Sequence, residues 1–548
     1  MSKVLRIVAA LVLTVAPSLA IGAPADAAPA CHAWSSSYLK KENAKPGSTG
    51  WRNVTSVSRT TAQFWLDAAS AACGQQVGVH LAAAGVTHFE LWRLGWYGGA
   101  RGRLVRSWNA QPGTALAPPS ADQTSSTTTP PPMTVADLPP STTPPGALSS
   151  AADAPAGADS YPTYAGASAA AWPVSTSLRI TPDMPPGLYL LTGAGPDGVA
   201  TGAPLVVRDD LGPHALTIVA PTLTWQAYNS WGNADLYAWP NDDGTVGGAA
   251  EADVVTLDRP IFNIWTHAEL LGQEKGLLQL VNREGLDATW IASQDLQRPQ
   301  GVLNQTRALV MSRHDEYWTT QMRANTAALV NRGVNLLDLG GNSMYHAGKF
   351  LDPSLRWYQV RKPNNKLHQG DPAYKLSYRF VDPPTSNPQA RLIGENFNCI
   401  SPWSPFKVSD PTFWAWSAQK IRKGKTFPNV VGSESDGPSA GYAAGTVFAS
   451  LSRVYCRNIG IYRLAGTSYR VAPSRAGILD IGTMNWLCQL TTATCGDYPR
   501  STAAGQLFVT RATTTILREA AKGPLGRLHP AKGGVKPPMK PSYSRGIR

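Results

Sequence analysis

Ala308-Leu309-Val310-Met311, followed by Arg313-His314-Asp315-Glu316-Tyr317-Trp318, reads as an apolar strand running into a polar loop. Thr319 to Arg332 then carries a helical pattern. Val334-Asn335-Leu336-Leu337-Asp338-Leu339 and Gly340-Gly341-Asn342-Ser343-Met344-Tyr345 repeat the strand and loop. Parallel strands joined by a crossover helix put both loops at one edge of the sheet, in the crevice where open α/β sheets take ligands. A histidine, two carboxylic acids and two tyrosines are therefore expected to meet there.

Outward from this unit, strands alternate with helices from His214 onward: a strand at 214–219, a helical stretch at 267–283, a strand at 288–292 and a closing helix at 506–521. This alternation predicts an α/β domain over 214–521, a parallel sheet with helices on both faces. Residues 34–210 read differently. Gln76–Leu81, Thr87–Leu94 and Arg103–Trp108 alternate with period two, Gly98-Gly99 marks a turn, and 188–192 and 204–208 are further strands. That pattern predicts an antiparallel, Ig-like β-sandwich. A Pro/Ser/Thr/Ala-rich insertion at about 112–171 lacks the composition to pack a core and is expected to be a mobile loop.

The chain has 548 residues, 43% hydrophobic and 16% charged, enough for two or three domains with a large core. Lys3 and Arg6, an apolar run from Ile7 to Val15 and Ala25-Asp26-Ala27 predict a signal peptide over 1–27 and a secreted protein. Six cysteines suit an oxidising compartment. Their distribution suggests one bridge between Cys31 and Cys73 and two among Cys399, Cys456, Cys488 and Cys495, with Cys488–Cys495 a short local loop. No Cys-x-x-Cys indicates a zinc or thiol redox centre. Part of the +13 net charge sits in a Gly- and Pro-broken tail over 522–548, read as disordered. The tail offers contact with an anionic wall or membrane surface; a merely solvated basic end is the plainer reading. No nucleic-acid module is visible. A small-molecule substrate is expected, and a homo-oligomer is left open.

Further motifs carry a resemblance. Trp225-Gln226-Ala227-Tyr228-Asn229-Ser230-Trp231-Gly232 with Leu236-Tyr237, Asp258-Arg259-Pro260, His314-Asp315-Glu316-Tyr317-Trp318, Gly341-Asn342-Ser343-Met344-Tyr345, Glu434-Ser435-Asp436 and Gly482-Thr483-Met484-Asn485-Trp486 together resemble the large (β) subunit of N,N-dimethylformamidase, most closely over 214–521. Arg93 to Gly99 is similar to segments that precede this domain in secreted relatives. The resemblance implies a class I glutamine amidotransferase-like α/β fold and a mononuclear iron (Fe³⁺) held by two tyrosines and a glutamate. By motif these are Tyr317, Tyr345 and Glu434. It also implies amide hydrolysis. From the residues themselves, His314 is the nearest candidate to move a proton, Asp315 and Glu316 are candidates to orient it or a ligand, and Asn229, Trp231 and Asn342 are candidate pocket residues. Three departures stand out. Gly432 occupies the place where the family pattern carries a histidine, two positions before the glutamate; the family's enzyme works with a small subunit that this chain does not contain; and that enzyme is cytoplasmic and catabolic, whereas this chain reads as exported.

The donor chemistry agrees with the implied metal. Two phenolates and a carboxylate neutralise a hard trivalent ion. The phenolate form needs that ion, because free tyrosine has a pKa of about 10. Other readings stay open. Aromatics at strand ends also cap cores, and Asp315 and Glu316 also suit the start of the helix near Thr319. Gly437-Pro438-Ser439-Ala440-Gly441 matches a serine-hydrolase elbow, although that motif needs a strand before it and a helix after it. A wall- or carbohydrate-binding protein with a non-catalytic α/β domain is the non-enzymatic alternative.

Overall fold

The computed structural model describes residues 30–54, 61–115, 168–229, 231, 234–237, 250–261, 271–362, 379–383, 385–439, 442–490 and 499–537. Residues 1–29, where a signal peptide is expected, the body of the Pro-rich insertion and the end of the basic tail lie outside these residues. Strands dominate a mixed α/β arrangement of several sheets.

In the N-terminal part, Gln76–Ala83 pairs antiparallel with Ala62–Leu66 and with Val174–Arg179. A second sheet runs Ser70–Ala72, Ala200–Arg208, Gly187–Ala194, Thr87–Leu94, Gly102–Ala110. Phe64, Val77, Val79 and Leu81 meet Phe89, Leu91, Tyr189, Leu191, Leu205 and Val207 in one core between these sheets. The opposite side of the second sheet is buried too. Leu94, Leu188, Leu190 and Val206 join a larger core with Leu216, Ile218 and Trp290. Successive strand residues point to opposite faces, so burial on both faces makes Leu188 to Leu191 a continuous apolar run. Cys31–Cys73 ties the N-terminal segment to this part.

The central sheet has seven strands in the order Ala288–Ala292, Leu216–Ala220, Ala308–Met311, Asn335–Asp338, Gly477–Asp480, Ile461–Val471, Val447–Cys456. The first five are parallel. The last two are antiparallel, so the expectation of a parallel sheet is corrected to a mixed one. A single β-hairpin connection joins those two strands, which a parallel pair would not permit. Ile218, Val310 and Leu337 face the helices Leu271–Arg283 and Ala503–Ala520. Val219, Leu309, Met311 and Leu336 face Thr320–Asn331 on the other side. Strand order reverses at Leu216–Ala220, whose chain successor lies on one side and the next strand on the other. That is a topological switch point, and it opens a crevice beyond the strand ends.

Three further differences from the sequence reading bear on function. Tyr317–Thr319 is itself a short strand, parallel to His346–Phe350, and Thr319 then caps the helix by accepting from Met322 N at 3.0 Å. Glu434 lies inside Thr426–Gly437, half of a long antiparallel hairpin with Asn396–Lys407, rather than after an apolar stub. Cys399–Cys456 binds that hairpin to the sheet edge. Cys488 is also disulfide-bonded; Cys495, its expected partner, lies outside the described residues. Segments read as unable to pack do so where apolar side chains find a partner. Ala169 and Ala170 are buried, and the Ala169 carbonyl accepts from Trp65 Nε1. Past 522, Leu525 is fully buried in a turn of helix at Leu525–Leu528, His529 stacks on Trp414, and Val535 N donates to Phe448 O.

Candidate active site

Backbone contacts latch the two opening loops together. Gly341 N donates to Arg313 O, Met344 N to Asp315 O, and both Tyr345 N and His346 N to Glu316 O, at 2.8–3.0 Å. The approach is close enough that a Cβ on Gly340 would fall 1.8 Å from Arg313 O, so glycine is required there. Asn342 and Met344 adopt left-handed φ values of 56° and 54°, which turn the second loop back over the first.

Glu316 is the centre of the resulting cluster. Its carboxylate is 3.2 Å from His314 Nε2 and 3.0 Å from His346 Nε2. It accepts the hydroxyls of Tyr228 and Tyr237, each at 2.9 Å, and Asn342 Nδ2 at 3.4 Å. Burial alone would raise the Glu316 carboxyl, but His346 and His314 outweigh it and hold the group well below the usual range. His314 Nδ1 lies 3.2 Å from the Gly341 carbonyl. A carbonyl only accepts, so Nδ1 carries the hydrogen and Nε2 is the nitrogen that exchanges a proton.

The expected ligands take distinct places around this centre. Tyr317 is fully buried, stacked on His346 with ring centroids 4.6 Å apart. Its hydroxyl interacts with Tyr237 but makes no hydrogen bond of normal geometry. Burial, then Glu316 and Tyr237, push this phenol well above its ordinary value. Lys362 Nζ lies 3.3 Å from the Tyr237 ring centroid and 5.6 Å from that of Tyr317. Glu434 accepts Asn342 Nδ2 at 2.6 Å and lies 3.8 Å from His314 Nε2. Tyr345 packs its ring on His346 and Phe397, and its hydroxyl engages Arg379. Asn342 bridges Glu316 and Glu434, and its side-chain oxygen is buried without a partner.

Asp315 points elsewhere. Burial, with Asp338 adding repulsion, raises its carboxyl well above the usual range. Asn229 and Trp231 serve the seam with the N-terminal sheets. Asn229 Nδ2 donates to Gln226 and to the Pro260 carbonyl, and Trp231 Nε1 donates to Gln63. A cavity in this seam, lined in part by Trp65, Trp225, Arg259 and Arg356, shares no lining residue with the Glu316 cluster. Ser439 accepts from Asn396 Nδ2, and the next described element is the strand Val447–Cys456 rather than a helix. A Cβ on Gly432 would sit 2.3 Å from Trp403 Cε3, so the hairpin has no room there for the histidine of the family pattern.

Tyr228, Tyr237, His346, Lys362 and Arg379 were not singled out from sequence. Tyr228 and Tyr237 stand within or just beyond the Trp225–Gly232 run, and His346 directly follows Tyr345. Tyr228 ends the short helix after Leu216–Ala220, so the switch point itself brings it to Glu316. The family described as N,N-dimethylformamidase beta subunit-like, C-terminal, matches residues 88–499. No curated protein matches the chain.

Proposed function

From the premise that this chain belongs to the N,N-dimethylformamidase beta subunit-like family, we propose that it hydrolyses a small amide or related C–N bond at the Glu316 cluster with the help of a bound iron. Membership supports an amidohydrolase-type activity. The substrate, the metal and the ligand set are our reading, which includes a class I glutamine amidotransferase-like arrangement of the α/β part.

The observation that carries the reading is Tyr317. Among the described residues its fully buried hydroxyl meets only Tyr237, without a hydrogen bond of normal geometry, which is costly unless something else occupies it. Tyr317, Tyr345 and Glu434 would hold the ion. Arg379 beside Tyr345 favours a phenolate there, whereas Tyr317, raised by burial and Glu316, would ionise only against the bound ion itself. When bound, such an ion supplies a Lewis acid that polarises an amide carbonyl and makes water a better nucleophile. His314 exchanges a proton at Nε2, and Glu316 stabilises its imidazolium form. Tyr228 and Tyr237 hold Glu316 in its ionised form. This assignment fills the role left open by Gly432 with residues of the opposite loop.

The disulfides support work in an oxidising, extracytoplasmic setting. Metal analysis of the purified chain tests the reading. About one iron per chain is expected, with a phenolate-to-iron absorption band that Tyr317→Phe abolishes. Protein that stays iron-free after reconstitution overturns it.

A further inference from the structure

Behind the Asn342 loop, four carboxyl groups meet away from solvent. Asp338 and Asp480 are register partners on adjacent parallel strands, and Ser468 pairs with Asp480 on the next strand. Asp436 comes from the Glu434 hairpin, and Glu395 directly precedes that hairpin's first strand. All four acids are 0% exposed. One oxygen from each of Asp338, Asp436 and Asp480 lies within 4.8 Å of the other two. Gly340 N and Gly482 N each satisfy one oxygen of Asp338 and Asp480, and Asn342 N donates to both oxygens of Asp436.

The remaining oxygens are a second, independent observation. Among the described residues, Asp338 Oδ2, Asp480 Oδ2 and both oxygens of Glu395 make no hydrogen bond of normal geometry. Glu395 interacts electrostatically with Asp436 and Asp338, so it faces the cluster. It lies directly over Gly466, where a Cβ would come 2.6 Å from Glu395 Oε2. The hydroxyls of Ser343 and Ser468 approach Asp338 and Glu395, again without normal hydrogen bonds. Four acids thus turn more acceptor oxygens on one another than the two hydroxyls can supply with donors, an arrangement that needs either shared protons or a cation.

We propose that Asp338, Asp436, Asp480 and Glu395 bind a hard divalent cation, calcium by donor type, separate from the Glu316 cluster. The donors are all oxygen, as hard cations require. Calcium–oxygen distances of about 2.4 Å allow ligand oxygens up to about 4.8 Å apart, and calcium tolerates an irregular cage that strict octahedral magnesium does not. The ion ties the Glu434 hairpin, the Asn342 loop and the sheet to one point. It is a positioning element for Asn342 and Glu434 and takes no part in the chemistry.

The test uses the full chain, stripped with a chelator and then titrated with calcium chloride. The wild type is expected to retain about one calcium per chain after desalting and to melt higher with calcium than without. Tyr317→Phe should keep that calcium even as it loses iron. Asp480→Asn and Glu395→Gln should lose both the calcium and the calcium-dependent rise in melting temperature. A wild type that binds no calcium and does not shift its melting temperature overturns the proposal, and this arm does not depend on either variant folding. Variants that bind calcium like the wild type overturn it too, because the ion is then elsewhere. Iron lost in Asp480→Asn but kept in Tyr317→Phe would assign this cluster to iron and overturn the calcium site together with the ligand set proposed above.

Discussion

At Tyr317 the hydroxyl is buried and meets only Tyr237, whose own hydroxyl already donates to Glu316, so deleting it leaves no donor unmet. Tyr317→Phe is therefore expected to unfold within about 1 kcal/mol of the wild type in urea while losing activity and iron. A large loss of stability would show that the phenol serves packing instead. Glu316 is the opposite case. Two imidazoles and two phenols depend on its charge. Glu316→Gln is expected to cost about 3–5 kcal/mol, the usual penalty for breaking a buried charged pair. Its folded-state carboxyl is depressed, so its stabilisation is present above the unfolded value of about 4.3 and is lost as pH falls through the folded value. Acid unfolding monitored by circular dichroism should show this loss in the wild type and not in Glu316→Gln.

Among the elements, the Asn396–Lys407 and Thr426–Gly437 hairpin presents Glu434 to the site, and its register shift between Ser401 and Ser404 lies opposite Gly432. There φ is 159° and Trp403 covers the α-carbon. Gly432→Ala is expected to cost about 1–3 kcal/mol through overpacking. Trp403→Ala in the same chain should recover part of that cost, measured as a coupling energy in a double-mutant cycle. Additive effects would show that Trp403 is not what excludes the side chain. Strands with strong periodicity were legible: Thr87–Leu94, Ala288–Ala292 and Ala308–Met311 have the bounds their sequences suggest. Tyr317–Thr319 was not, because three residues carry no period and become a strand only by pairing with His346–Phe350.

For the molecule as a whole, His214 joins the N-terminal sheets to the α/β part. It lies 3.1 Å from Asp209, just after the strand Ala200–Arg208, and 2.8 Å from Asp287, just before Ala288–Ala292. Burial opposes its charge, but the hydrogen bonds to Asp209 and Asp287 prevail and raise it to about 8. The folded value exceeds the unfolded one of about 6.5, so the contribution is full below pH 6.5 and is lost as pH rises through 8. Unfolding free energy should fall by about 2 kcal/mol across that window, and His214→Gln should flatten the profile. An unchanged pH profile in the variant would remove His214 as its source.

The sequence by itself showed the strand–helix–strand unit and the two loops that meet beyond its strands, and it suggested the Cys31–Cys73 bridge. These follow from local periodicity, crossover handedness and residue chemistry. Tertiary structure alone decided that Glu316 is the hub while Asp315 turns away, since adjacent residues in extended chain face opposite sides. It alone brought Tyr228, Tyr237 and His346 to that hub, sent Asn229 and Trp231 to the seam, and gathered Asp338, Glu395, Asp436 and Asp480 from segments up to 142 positions apart in the printed sequence. Such convergence depends on strand order and hairpin register, which long-range packing sets and which leave no period in the chain.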